Sequence, residues 1–166
     1  MLRKIAIFTL TALLTIGCNE ERNGSVTNQS ASFEQEKQAI LETLRNETKV
    51  AFQRDYESWT EHWVHDPSIS KTYINLVDST SSESVGWNEI SQFVKTFIEE
   101  HPEPEPTPEL VDDIDVRLYG NGAWVSFEQL DSLRGLKRET RLMEKVDGKW
   151  KIAGMHTTIY GFDRTK

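Results

Sequence analysis

Glu139-Thr140-Arg141-Leu142-Met143-Glu144-Lys145-Val146-Asp147-Gly148-Lys149-Trp150-Lys151-Ile152 carries two long strand patterns around a tight-turn signal. Asp-Gly accepts the positive φ angles that a two-residue hairpin turn demands, and the flanks are rich in strand formers. The spacing predicts strands over Leu136–Val146 and Lys149–Tyr160. Alternation then assigns faces. Glu139, Arg141 and Met143 share one face of the first strand. On the second, Trp150, Ile152, Gly154 and His156 share one face, and Lys151, Ala153, Met155 and Thr157 the other.

Working toward the N-terminus, Gly120-Asn121-Gly122 marks another tight turn, between strands predicted over Asp112–Tyr119 and Ala123–Leu130. The last third of the chain is therefore a four-strand meander. Residues 99–115 before it hold four of the five prolines and eight acids, with no Lys or Arg. Proline at every second position excludes helix and central strand, and like charges extend the chain, so this reads as a solvated connection. A helix is expected from Trp87-Asn88, with Ile90, Phe93, Val94, Phe97 and Ile98 as its apolar stripe. Asp78–Ser84 reads as a turn, and Lys71–Val77 as a strand. Glu34–Arg54 has Ile40, Leu41, Leu44, Thr48, Ala51 and Phe52 at helical spacing, with Ser32 as the expected N-cap. The pattern continues through Tyr56, Trp59 and Trp63 as a second short helix ending before Asp66-Pro67. Helices followed by a run of antiparallel strands define an α+β fold.

Residues 1–17 have the parts of an export signal: Arg3 and Lys4, then an apolar run over Ile5–Ile16 too short for a comfortable membrane span. Gly17-Cys18 follows and resembles a bacterial lipobox, with Thr15 where Leu is usual. Cys18 is the expected lipid-attachment residue, which places the chain in the cell envelope, anchored at the outer membrane or cell surface on either side. As the only cysteine it forms no internal disulfide. Residues 18–33 read as a flexible tether and 34–166 as one domain. Without residues 1–17 the chain has 149 residues, with 17 Lys and Arg against 27 Asp and Glu, a formal net charge of −10. That charge opposes binding to nucleic acid or to anionic lipid surfaces, so membrane attachment rests on the lipid.

The closing hairpin, with His156-Thr157-Thr158 after it, resembles the end of the nuclear-transport-factor-2-like (NTF2-like) domain, of the SnoaL-like or DUF4440 type. Trp63-Val64-His65-Asp66-Pro67 and Gly86-Trp87-Asn88-Glu89-Ile90 are similar to exported Bacteroidota members, and Glu20-Glu21 resembles a surface-export tag of such lipoproteins. The resemblance covers about residues 34–162. It implies a cone: N-terminal helices packed on a curved, mainly antiparallel sheet that encloses a pocket, in a fold that often pairs as a homodimer. It also implies that His156 and Arg141 line the pocket.

Physically, an Arg in such a pocket is a carboxylate clamp, and a His beside it is a proton carrier near neutral pH. The plainer alternatives are a buried His156 bonded to a carbonyl or to Glu139, and an Arg141 paired with Glu139 or Glu128. Tyr56, Trp59, Trp63, Tyr73, Trp87 and Trp124 are expected in the core and pocket wall. His62, His65 and Asp66 have weak spacing for a metal, so neither metal nor cofactor is expected. The strand over Lys71–Val77 lacks the Asp base of the steroid-isomerase branch, and no nucleophile or phosphate motif is present. The leading expectation is a non-catalytic domain that binds a small organic ligand, such as a carboxylate. The alternatives are an acid/base lyase or isomerase with His156 as its catalytic group, and an assembly domain that dimerises through Met155, Ala153 and Ile159 on the outer sheet face.

Overall fold

The computed structural model describes residues 21–131 and 134–162. The signal segment and Cys18 lie outside the described residues. The elements in chain order are α1 (Glu21–Phe52), α2 (Tyr56–Glu61), β1 (Ser70–Asn75), β2 (Thr80–Val85), α3 (Trp87–Glu100), β3 (Asp115–Tyr119), β4 (Gly122–Asp131), β5 (Gly135–Val146) and β6 (Lys149–Gly161). No described helix is long and apolar enough to cross a membrane.

The six strands form one sheet in the order β2-β1-β6-β5-β4-β3. Only β1 and β6 run parallel; every other pair is antiparallel. The helices pack on one face of this curved, open sheet. Ile40, Leu41 and Leu44 of α1, Ile90 and Val94 of α3, and Val125, Met143 and Ile152 of the sheet share one core. Ile40, Ile90, Val125 and Ile152 are fully buried. Each such side chain contributes about 1.5–3 kcal/mol relative to exposure.

The hairpin that set the fold has the expected turn. Asp147 and Gly148 have φ of 50° and 78°, the left-handed pair that a two-residue turn between right-twisted strands requires. Glu36 of α1 reaches this end of the sheet, accepting from Lys145 Nζ at 2.7 Å and Trp150 Nε1 at 2.7 Å. At the other end of α1, Arg54 takes the left-handed C′ position (φ 63°) normally filled by glycine. Its backbone N–H donates to Ala51 O, and that of Asp55 to Val50 O, which closes the helix. The Arg54 side chain donates to His101 O at 2.8 Å and pairs with Glu105. The acidic, proline-rich connection is thus pinned at its start and exposed over 101–107.

Two sequence expectations are corrected. Thr80–Val85 is an edge strand, antiparallel to β1, rather than part of a turn. Its polar sequence shows no alternation because the strand is almost wholly exposed on both faces. The connecting turn is held by Asp78 Oδ1, which accepts from the Thr80 N–H at 3.0 Å and hydroxyl at 2.6 Å. The second correction concerns α1, which runs from Glu21 through Ser32, so Ser32 is not its N-cap. Once a helix is nucleated, each added residue costs little, so a serine inside it need not act as a cap.

Candidate functional site

The face assignment along β6 is the finding that reorganises the site. Met143 pairs with Ile152, but Leu142 pairs with Gly154, so Ala153 is an extra residue on β6. Such a bulge shifts the side-chain period by one. Trp150 and Ile152 point inward before it; Met155, Thr157 and Ile159 point inward after it, and all five are buried. His156 is turned to the opposite, exposed face. Strict alternation would have placed His156 with Trp150 and Ile152. The bulge also buries Met155 and Ile159, which strict alternation would have put on an outer contact surface.

Arg141 keeps its predicted inward position, as do Glu139 and Met143 beside it on β5. Arg141 and His156 are therefore on opposite sides of the sheet, and the structure does not bring them into one pocket. Arg141 Nη2 donates to Glu139 Oε2 at 2.6 Å, and Lys137 Nζ pairs with Glu139 Oε1 at 2.9 Å. Burial pushes the Glu139 carboxyl upward, but Arg141 and Lys137 outweigh it and hold it below the usual carboxylate value of 4.5. Burial alone would favour a neutral Arg141; the Glu139 carboxylate reverses this and keeps the guanidinium charged.

The pair does not satisfy Arg141. Its Nε and Nη1, and the Thr157 hydroxyl on the neighbouring strand, are buried without a hydrogen-bond partner. Each buried unmatched donor costs about 1–3 kcal/mol. Thr157 faces Glu139 across β5–β6 and Tyr73 across β1–β6. The Tyr73 hydroxyl reaches only the Met155 sulfur, at 3.9 Å, a weak acceptor. Two adjacent strands, β5 and β6, therefore bring unused donors to one interior face, next to a weakly bonded hydroxyl on β1.

Most of the predicted aromatic set belongs to the core: Trp59 and Trp63 are part of it, and Tyr56, Tyr73 and Trp87 pack against it. Trp59 and Trp63 are fully buried, and both indole N–H groups donate to Glu47 Oε1, at 2.8 and 3.2 Å. Trp59 stacks on Trp87 and on Tyr56, and the Tyr56 hydroxyl bonds Ser91 at 2.7 Å. Trp124 is separate: it is 44% exposed on the opposite face. There it lines a cleft of about 260 Å³ with Arg138, Thr140, His156 and Thr158. His156 Nε2 lies 3.2 Å from the Thr158 hydroxyl.

Glu47, Lys71, Lys137 and Thr157 were not singled out in the sequence. Glu47 had a signal: it follows Ile40 and Leu44 and precedes Ala51 at steps of four, three and four, on the buried stripe of α1. The three residues weighed as metal ligands have other roles. His65 stacks on Trp87 and bonds Thr60 O, and Asp66 caps Ser68. His62 lines a separate cleft of about 640 Å³ between α1 and the β5–β6 hairpin, where burial holds its pKa below 6.5. Among the described residues, no group of three or more His, Cys, Asp or Glu could hold a metal ion.

No protein-family model and no curated protein matches the sequence. Solved structures do match. An NTF2-like superfamily protein from Salmonella enterica superposes with a TM-score of 0.58 at 20% identity, covering 78% of this chain and 93% of that one. A candidate dehydratase of the NTF2-like family from Streptomyces avermitilis gives 0.60 at 12% identity, covering 76% and 97%. An NTF2-like protein of unknown function from Shewanella baltica gives 0.55 at 16% identity, covering 75% and 94%. At these identities the likeness speaks for architecture alone, and on that ground the helices and curved six-stranded sheet of this chain are an NTF2-like cone.

Proposed function

We propose that this chain is a lipid-anchored domain of the cell envelope that binds a small organic carboxylate inside the cone and does not transform it. The observation that carries this reading is Arg141: a buried cation whose Nε and Nη1 have no partner, beside an unpartnered Thr157 hydroxyl. A carboxylate supplies the acceptors these atoms lack, and charge-assisted bonds to it are the stronger kind. Binding without turnover is favoured by the placement of His156. The residue best suited to carry a proton near neutral pH lies outside the cone, and Glu139 is already held by two cations. Cys18 supplies the lipid, so the ligand is met outside the cytoplasm.

The test is a thermal-unfolding screen of residues 18–166 carrying Cys18→Ser, against carboxylates, sterols and neutral aromatics. A carboxylate at hundredfold excess over its Kd should raise Tm by roughly 5–10 °C. Stabilisation by none of these compounds would remove the reading.

A second reading, dimerisation, is favoured by the outer face. Trp124 and Leu142 are 44% and 47% exposed there, on paired residues of adjacent strands. This apolar pair replaces Met155 and Ile159 as the proposed contact between two copies.

A further inference from the structure

Lys71 stands on the same interior row as Arg141. Lys71 pairs with Met155, and Met155 with Arg141, so the two cations are two strand spacings apart, roughly 10 Å. Lys71 is half-buried; its charge acts on Glu139, but its ammonium lies closest to rings and not within ion-pair distance of a carboxylate. It lies 5.5 Å from the Tyr73 ring centroid and 5.1 Å from that of Phe93 on α3. Phe93 is 45% exposed, so this wall is where the interior meets solvent. Among the described residues Lys71 has no ion-pair partner.

Both interior carboxylates already accept from protein donors. Glu139 serves Lys137 and Arg141, and Glu47 serves the two indoles. Lys71, Lys137 and Arg141 face Glu47 and Glu139, so three cations meet two carboxylates and one positive charge is left over. A ligand without acceptors would leave buried donors orphaned, and a neutral acceptor would leave the surplus positive charge unmatched. A dianion would bring a negative charge that no interior cation balances, and an unpaired buried charge is strongly unfavourable.

We propose that Lys71 is the second cationic contact of the ligand held at Arg141, and that the pair selects a monoanion with an apolar body lying against Tyr73, Phe93 and Met155. This rests on the ligand-binding reading above and names its substrate class: aryl or alkyl monocarboxylates. The aromatic contacts hold the Lys71 ammonium in place until a ligand exchanges for them, since a cation over a ring is bound more weakly than one on a desolvated carboxylate.

The experiment is calorimetric titration of residues 18–166 carrying Cys18→Ser. The probes are benzoate, octanoate, benzyl alcohol, octanol and the dianion phthalate. At least one monocarboxylate should bind tenfold or more tightly than its alcohol and than phthalate. Lys71→Met keeps the aliphatic stem and should weaken that monocarboxylate at least fivefold while leaving alcohol binding unchanged; Lys71→Arg should restore most of the loss. Equal affinity of the Lys71→Met and parent chains for the monocarboxylate would overturn the proposal, as would alcohols or phthalate binding as tightly as monocarboxylates. In either case ligand binding itself would stand. Failure of all five probes to bind would take down the ligand-binding reading together with this inference.

Discussion

β5 and β6 are neighbours of nearly equal length, yet they carry their information differently. On β5 strict alternation holds from Glu139 to Met143, and every inward residue falls where the period puts it. On β6 a single extra residue, Ala153, reverses the phase. The consequence is chemical as well as geometric. Arg141 on β5 is sealed inside with Glu139, and His156 on β6 faces water beside Trp124. Two residues that looked like one acid/base-and-clamp pair are members of two different surfaces.

Removing each of the two side chains should have very different effects. Arg141→Ala leaves Glu139 buried with Lys137 as its one ion-pair partner among the described residues, and should cost about 3–5 kcal/mol in a denaturant titration. His156→Ala removes an exposed side chain and should change stability by no more than about 0.5 kcal/mol. Comparable losses would mean that His156 is not an outer-face residue. Glu139 also gives the Arg141 effect a pH signature. Its folded pKa lies below 4.5, so its contribution is complete above that value and is lost as pH falls through the folded pKa. The difference between the parent and Arg141→Ala should therefore be largest near neutral pH and shrink below about pH 4.5. A difference that grows on acidification would contradict the buried pair.

The smallest effect on folding is expected on the outer face. Trp124→Glu should leave stability within about 1 kcal/mol, since the side chain is 44% exposed in a single copy. If this face joins two copies, the same change should convert a dimer to a monomer in sedimentation. A parent chain that sediments as a monomer would leave Trp124 and Leu142 without that role.

How much of this was legible beforehand depends on where physics writes its signal. The closing hairpin was readable because Asp147-Gly148 meets a stereochemical demand that few residues satisfy. The core stripe of α1, and Ile90 and Val94 of α3, were readable because burial imposes a helical period, whereas Phe93 and Phe97 of the expected α3 stripe are exposed. β2 was not, because an edge strand exposed on both faces has no period to impose on Thr80–Val85. The bulge left only a trace: apolar residues fall on even numbers through Ile152 and on odd numbers from Met155, with the change at Ala153-Gly154. Arg141 was found from its strand position. Its unsatisfied nitrogens, the Thr157 hydroxyl and the rings around Lys71 depend on three strands and α3 meeting, which no single stretch of sequence contains.

The most direct test of the interior site is a ¹H–¹⁵N NMR titration with the best-bound monocarboxylate, following the Arg141 Nε–H and the His156 ring in one experiment. The Arg141 Nε–H and the Thr157 backbone amide should shift and saturate together while the His156 ring stays in place. A ligand that moves the His156 ring and leaves Arg141 untouched would put binding on the outer face and not inside the cone.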